Sequence, residues 1–194
     1  GSDSRIGPKF LFPGPGYGGS CFPKDVKAVI KTAKEAGYDL ELLRAVESVN
    51  ERQKHVMSQK IINYFKGNLK NKTIAIWGLA FKAKTDDMRE SPSIPVINDL
   101  LAAGAKIVAH DPEAIETAKR LFGNKIKYIF NNYEVLKKAD ALLVLTEWND
   151  YRKPDFTKIK QSLKKPVIFD GRNLYDPERL QKLGFKYISI GRQI

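Results

Sequence analysis

From residue 72 onward the chain alternates short apolar runs with amphipathic stretches, and this alternation constrains the fold more than any other feature. Thr73-Ile74-Ala75-Ile76-Trp77-Gly78 and Ala141-Leu142-Leu143-Val144-Leu145 are apolar at nearly every position. A strand with one wet face alternates with period two, so a continuous run implies burial on both faces. Residues 106–109, 127–130, 166–169 and 186–190 supply four more short strands. Between them, residues 92–103, 113–122, 132–138, 155–163 and 177–183 read as helices, with Ser91 placed to cap the first and Pro92 at its start. Strands alternating with helices predict a parallel sheet covered on both faces. The expected class is α/β: a helical linker segment followed by a Rossmann-like doubly wound parallel sheet, with ligands at the C-terminal strand ends near the switch point.

The first third has a different texture. Residues 3–23 form a loop-rich entry. Residues 25–36 follow as a helix with Val26, Val29, Ile30 and Ala33 at helical spacing, stopped by Gly37. A longer helix is expected over 40–65, with a stripe of Leu42, Leu43, Val46, Val49, Val56, Met57, Ile61 and Tyr64. Asn50 and Gln53 interrupt that stripe, either as hydrogen-bonded core groups or as groups facing a site. The polar run 67–72 marks a boundary, giving units of 1–66 and 67–194.

The chemistry concentrates in residues 13–25, which hold the only cysteine of the 194-residue chain. Gly14, Gly16, Gly18 and Gly19 precede Cys21, and Phe22-Pro23-Lys24-Asp25 follow it. Such a loop can bring backbone close to a ligand. Pro23 suits a first helical turn, so Cys21 would stand beside unpaired N–H groups with Lys24 close by, a setting that favours a nucleophilic thiolate. A lone cysteine is otherwise a small buried hydrophobe. Gly14, Gly16 and Gly19 also spell the dinucleotide fingerprint, but no buried strand precedes them and no second strand with an acid follows, so that reading is rejected.

With 42% hydrophobic residues the chain can bury a core, and a single cysteine excludes a disulfide framework and suits a reducing compartment. No apolar run is long enough to span a bilayer. His55 and His110 stand alone, without a spacing that suggests a metal site. The net charge of +12 is spread along the chain. It fits a nucleic acid, an anionic small molecule such as a nucleotide sugar, or a solvated lysine-rich surface. The loop after the first strand, residues 78–92, lacks phosphate-binding glycines but carries Lys82, Lys84 and Arg89, whose side chains could hold phosphate instead.

Two stretches carry a resemblance. Arg5-Ile6-Gly7-x-Lys9-Phe10-Leu11 with Gly14-x-Gly16-Tyr17-Gly18-Gly19-Ser20-Cys21-Phe22-Pro23-Lys24-Asp25 resembles the active-site segment of the UDP-glucose/GDP-mannose dehydrogenase family. Gly78-x-Ala80-Phe81-Lys82 with Asp86-x-x-Arg89-Glu90-Ser91 resembles the start of that family's C-terminal UDP-binding domain, and Thr146-Glu147-Trp148 and Asp170-Gly171-Arg172 are further family-like pieces. The resemblance covers almost the whole chain but only the C-terminal half of a family member. It implies a shortened chain without the N-terminal NAD-binding domain, which should be unable to turn over alone and whose cysteine loop should be disordered or displaced.

The resemblance implies an oxidoreductase that converts UDP-glucose to UDP-glucuronate in two hydride transfers to NAD, through a thiohemiacetal and a thioester on Cys21. A thiol suits this because it is both a strong nucleophile and a competent leaving group. Asp25 would position water or polar neighbours. Phe10, Leu11, Phe12, Pro13, Gly14 and Gly18 would line the sugar and nucleotide, and Phe81, Lys82 and Arg172 would contact the nucleotide sugar. Lys24 and Arg89 would face the cofactor, itself bound mainly by the absent domain. Arg5 would reach substrate in the partner subunit of a homodimer formed by the helices of 1–66, while 67–194 would hold the UDP-sugar. The family often has Asn where this chain has Phe12, so a backbone contact there would survive but a side-chain hydrogen bond would not. A cytoplasmic protein with neither nucleic-acid nor membrane partners and no metal is expected. The alternatives are a GDP-mannose-oxidising member or a stand-alone nucleotide- or nucleic-acid-binding module.

Overall fold

A computed structural model describes residues 1–7 and 11–192; Phe10, expected at the sugar, lies outside them. Three helices come first: α1 (Phe22–Glu35), α2 (Glu41–Lys54) and α3 (Val56–Tyr64). The alternating region follows as β1 (Thr73–Trp77), α4 (Ser93–Ala102), β2 (Lys106–His110), α5 (Ile115–Phe122), β3 (Lys127–Tyr128), β4 (Ala141–Val144), α6 (Asn149–Arg152), α7 (Phe156–Ser162), β5 (Val167–Asp170), α8 (Pro177–Lys182) and β6 (Lys186–Ser189). The six strands form one parallel sheet in the order β3-β2-β1-β4-β5-β6, the doubly wound order predicted from the alternation. Ile74 is in register with Ile107 on one side and Ala141 on the other.

The continuous apolar runs do bury both faces. Ile74, Ile76, Leu143 and Phe169 point to one side, where Met57 and Ile61 of α3 join Ile97 and Leu100 of α4 and Phe122 of α5. Ala75, Trp77, Leu142 and Ile168 point to the other and meet Tyr151, Ile159 and Leu180. The Trp77 and Tyr151 rings stack with centroids 4.8 Å apart, and the indole N–H donates to Asn132 O at 2.7 Å. The last of the three N-terminal helices is thus built into the sheet's core.

Four sequence expectations need correction. The helix expected over 40–65 breaks at His55, whose N–H bonds back to Arg52 O at 3.2 Å. The break is stabilised from outside: Asp99 of α4 takes a 2.6 Å hydrogen bond with His55 Nδ1 and another from Ser58 Oγ. The helix expected over 132–138 is a single 3₁₀ turn, Glu134–Leu136, with Val135 and Leu136 pinned in the core. The strand expected over 127–130 is only two residues long. The apolar stripes of the first two helices are not wholly buried, for Val29, Leu42 and Val49 are half exposed or more. No helix among the described residues is long and apolar enough to cross a membrane.

Candidate functional site

Three loops leave the C-terminal ends of β1, β4 and β5 on the same side of the sheet. A cavity of about 610 Å³ opens there against α2 and the glycine-rich segment. Its wall includes Phe12, Gly14 and Gly18 from that segment, Asn50 and Gln53 from α2, Phe81 and Lys82 after β1, Glu147 after β4 and Arg172 after β5. Residues far apart in sequence converge there because parallel strands deliver all their C-terminal loops to one edge.

Arg172 is the best-held cation of the site. Its Nε donates to Leu145 O at 2.9 Å and lies 3.0 Å from Glu147 Oε2, while Nη2 donates to Phe81 O at 2.9 Å. Burial pulls its guanidinium below the usual arginine value, against the pull of Glu147 and Asp170. Nη1 faces Gly14, where an added β-carbon would lie 2.8 Å from it. Glu147 Oε2 is buried without a hydrogen bond among the described residues, so the carboxylate acts on Arg172 through charge alone. Lys82 Nζ sits 5.3 Å from the Phe81 ring centre, a cation–π contact at the cavity wall.

The glycine-rich segment is tied down from two sides. On the α2 side, Asn50 Oδ1 accepts from Tyr17 N at 2.8 Å and its amide donates to Tyr17 O at 3.3 Å; Gln53 donates to Gly14 O at 2.8 Å. Tyr17 Oη donates to Glu47, and burial together with that carboxylate pushes the phenol well above its usual value. Asn50 and Gln53 are therefore both hydrogen-bonded and site-facing, which resolves the two readings left open by the sequence. On the sheet side, Gly19 N donates to Arg89 O at 2.8 Å. Gly19 adopts φ +93° with the Phe81 ring against it, so a side chain there would meet both backbone strain and a collision.

Cys21 stands at the N-terminus of α1, exposed, with Ser20 Oγ 3.6 Å from its sulfur and its carbonyl accepting from Asp25 N. Pro23 lies in the first turn, as expected. Lys24 pairs with Asp25 at 3.0 Å, and Asp25, with a smaller contribution from Cys21, raises its ammonium. Arg89 is raised chiefly by Asp87, with Cys21 again contributing. Lys24 follows Cys21 by three residues in the first turn of α1, and the Arg89 carbonyl is bonded to Gly19, two residues before Cys21.

Phe12, Gly14, Gly18, Phe81, Lys82 and Arg172 meet at the cavity. Cys21, Lys24, Asp25 and Arg89 form a second group, joined to the first through the Gly18–Gly19 backbone. Leu11 and Pro13 are exposed and do not line the cavity. Arg5 does not line the cavity and is forked onto Asp3, with Nη2 to Oδ2 at 2.7 Å. Glu47 and Lys54, which the sequence did not single out, hold the site together with Glu90, which it offered only as a letter of the Asp86–Ser91 resemblance without a role; charged residues within an amphipathic helix give no signal of such a part in sequence.

One strand-end acid is already committed. Asp111, after β2, sits where a dinucleotide-binding sheet offers a carboxylate to the ribose. Here it is buried and accepts from the N–H groups of Leu79, Ala80, Glu113 and Ala114 and from Trp148 Nε1. The lack of phosphate-binding glycines in residues 78–92 agrees with this, since the loop after β1 is closed by side chains. No group of three or more potential metal ligands occurs among the described residues.

Residues 75–177 match the UDP binding domain of the UDP-glucose/GDP-mannose dehydrogenase family, and residues 1–52 match its central domain. UDP-glucose 6-dehydrogenase of Pseudomonas aeruginosa is 45% identical across 99% of this chain, which covers 44% of that protein. The TuaD UDP-glucose 6-dehydrogenase of Bacillus subtilis is 44% identical across 99% of this chain and 41% of its own length. A solved UDP-glucose dehydrogenase from Pyrobaculum islandicum superposes with a TM-score of 0.82 at 32% identity, over 98% of this chain and 41% of that one. The chain thus spans under half the length of the relatives it matches. Its sheet order, its cysteine segment and its matched domains agree, and the chain belongs to the UDP-glucose/GDP-mannose dehydrogenase family.

Proposed function

We propose that this chain is the substrate-binding and cysteine-bearing part of an NAD-dependent oxidoreductase that converts UDP-glucose to UDP-glucuronate. The observation that carries this reading is the cavity where Phe12, Gly14, Gly18, Phe81, Lys82 and Arg172 converge, since its volume falls in the range of small-molecule sites. Lys82 and Arg172 give it positive charge for a diphosphate, and the Phe81 ring gives it a flat wall for a base or sugar.

The chemistry assigned to Cys21 follows from a thiol's two abilities. Once the sugar's C6 alcohol has been oxidised to an aldehyde, the Cys21 sulfur adds to the carbonyl carbon and the oxygen takes a proton, giving a thiohemiacetal. Loss of a second hydride and that proton gives a thioester on the same sulfur. Water then attacks the acyl carbon, the carbon–sulfur bond breaks, and the thiolate leaves as the acid is released. Asp25, one turn along α1, orders the attacking water. The two oxidations would each be supplied by one NAD, each molecule taking up a single hydride. Lys24 and Arg89, the exposed cations beside Cys21, are the groups of this chain that would meet its phosphates. With Asp111 committed, the sheet's own crevice does not fit a dinucleotide, so the cofactor's main site belongs to other parts of the intact enzyme. On this reading the chain by itself binds substrate without turning it over.

Exposed apolar positions on α1 and α2, Val29 outside the cavity lining and Leu42 and Val49 at its wall, support a homodimer through these helices, with Arg5 directed to the partner's substrate. A soluble, cytoplasmic setting fits the single exposed thiol. Calorimetric titration with UDP-glucose, GDP-mannose and a short DNA duplex tests the assignment. Selective binding of UDP-glucose is expected, weakened about tenfold by Lys82→Ala through loss of one charge-assisted contact. Preference for GDP-mannose, or binding of the duplex alone with steep salt dependence, would refute it.

A further inference from the structure

The turn after Met88 touches the cysteine segment, α1 and α2 at once, and its central residue is in an unusual state. Glu90 has φ +54°, a left-handed conformation that is strained for a residue with a β-carbon. Glycine would adopt it freely, so a glutamate there has to be held. Its carboxylate is held twice: Oε1 accepts from Lys27 Nζ of α1 at 2.8 Å, and Oε2 accepts from Lys54 Nζ of α2 at 3.0 Å. Lys27 is exposed in part, but the Lys54 side chain is only 5% exposed and has one other acidic partner, Glu51 at 2.8 Å. A buried ammonium needs its counter-charges, because burial alone drives it toward the neutral form. Burial acts on Lys54 in that direction, and Glu51 and Glu90 together outweigh it.

The same turn grips the glycine segment with its backbone. Arg89 O accepts from Gly19 N at 2.8 Å, and Glu90 O lies where a β-carbon of Gly18 would be. From the other side, Ser91 Oγ donates to Leu79 O at 2.8 Å and anchors the turn to the end of β1. The Lys54 stem lies under Gly16. Lys27 is six residues beyond Cys21 on one unbroken helix, about 9 Å along its axis. A helix of that length moves as a unit, so fixing Lys27 fixes the end that carries the sulfur.

We propose that Glu90 is a positioning residue, whose carboxylate locks the 89–90 turn to α1 and α2 and thereby sets where Cys21 stands relative to the cavity. This rests on the reading of Cys21 as the nucleophile. The lock itself is a property of the fold, so it can be measured without turnover.

Amide exchange and ¹⁹F NMR test it on this chain, where a trifluoromethyl label placed on the single cysteine reports Cys21 alone. Glu90→Gly removes the carboxylate while relieving the backbone strain, and Glu90→Gln removes the charge while keeping the side chain's length. The expected result is exchange at Gly19 at least tenfold faster in both variants, with β1 and β4 amides unchanged. The labelled Cys21 should pass from one resonance to several or to a broadened line. Added salt should speed Gly19 exchange in the parent chain and not in Glu90→Gln. If Glu90 only occupies the turn, Glu90→Gly protects Gly19 as well as or better than the parent and leaves one ¹⁹F line, and the proposal fails. Should Glu90→Gly not fold, Glu90→Gln decides by the same measurements. A separate comparison in the intact enzyme, where Cys21→Ser retains turnover, would overturn the nucleophile reading and leave the lock standing.

Discussion

Gly18→Ala is the smallest change that should part the cysteine segment from the sheet. A β-carbon at Gly18 would overlap Glu90 O, lie 2.8 Å from the Glu90 carbonyl carbon and 3.2 Å from Ser91 Cα. All three atoms are backbone, so no side chain can swing aside. The turn cannot retreat either, because Ser91 and Ser93 are both hydrogen-bonded to Leu79 O. The segment itself must shift by about 1 Å, at an overpacking cost of roughly 1–3 kcal/mol. That shift also strains the 2.8 Å bond from Gly19 N to Arg89 O, worth roughly 1 kcal/mol net. Together these give about 2–4 kcal/mol, or roughly 30- to 1,000-fold in the ratio of docked to undocked segment. The core of the sheet is untouched, so the loss is local. Amide exchange at Tyr17 and Gly19 should rise by that factor, and UDP-glucose affinity should fall as the cavity loses one wall. As a control, Gly7→Ala carries local backbone strain of its own at φ +74° but meets no atom of the described residues within 4 Å, so it should spare both. Unchanged Gly19 protection and unchanged affinity in Gly18→Ala would refute the steric argument.

In the intact enzyme, Cys21→Ser should abolish oxidation to the acid while this chain's UDP-glucose affinity stays within about twofold, because the sulfur lies outside the cavity wall; single-turnover assay and calorimetry check the two halves. Leu143→Ala, fully buried between the sheet and its helices, should cost about 2–5 kcal/mol by urea titration. Glu90 is held below the usual carboxylate value by Lys27 and then Lys54, with Glu51 also facing Lys54 and Glu47 near Lys27. Its contribution is present above the unfolded value of 4.5 and is lost as pH falls through the lower folded value, so Gly19 exchange, corrected for intrinsic rates, should rise in that window and Glu90→Gln should flatten the response. His110 is depressed by burial against Tyr151, so the folded state holds fewer protons than the unfolded one below 6.5. Stability from this group should fall as pH drops from 6.5 toward the folded value, and its NMR titration midpoint should lie below 6.5.

The sheet was legible because its signals are local. Ala141 to Leu145 is too short and too evenly apolar for a surface helix and reads as a strand buried on both faces, and the alternation of such runs with helices leaves few topologies. What the sequence hid depends on distant partners. The break at His55 is sealed by Asp99, 44 residues away, and no local feature marks it. The one-turn helix α6 is too short to carry a periodic stripe. Val29, Leu42 and Val49 read as core because periodicity reports an apolar face without reporting what covers it. At the site, the glycines and Cys21 stood out by residue type. Lys54 did not: a lysine between Gln53 and His55 on a charged helix reads as solvated, and only the fold shows it buried between two carboxylates.

Asp111 explains why this sheet presents side chains where related sheets present backbone. In a doubly wound sheet the loop after the first strand holds phosphate by aiming its N–H groups at the crevice. Here the N–H groups of Leu79 and Ala80 are turned onto the Asp111 carboxylate at 2.7 and 3.2 Å. Ser91 and Ser93 close the same loop from the other side by donating to Leu79 O. A loop bonded in this way has no spare donors for an anion at its base. Positive charge at the crevice must then come from farther along the chain, and it does: Lys82 beyond the closed turn and Arg172 from two strands away both reach the cavity wall. Arg172 can serve only because Leu145 O, Phe81 O and Glu147 satisfy its buried side while Nη1 faces the segment that carries Gly14. The topology is that of a dinucleotide-binding sheet, but with the acid committed the positive charge stands at the rim, where the cysteine segment forms the facing wall.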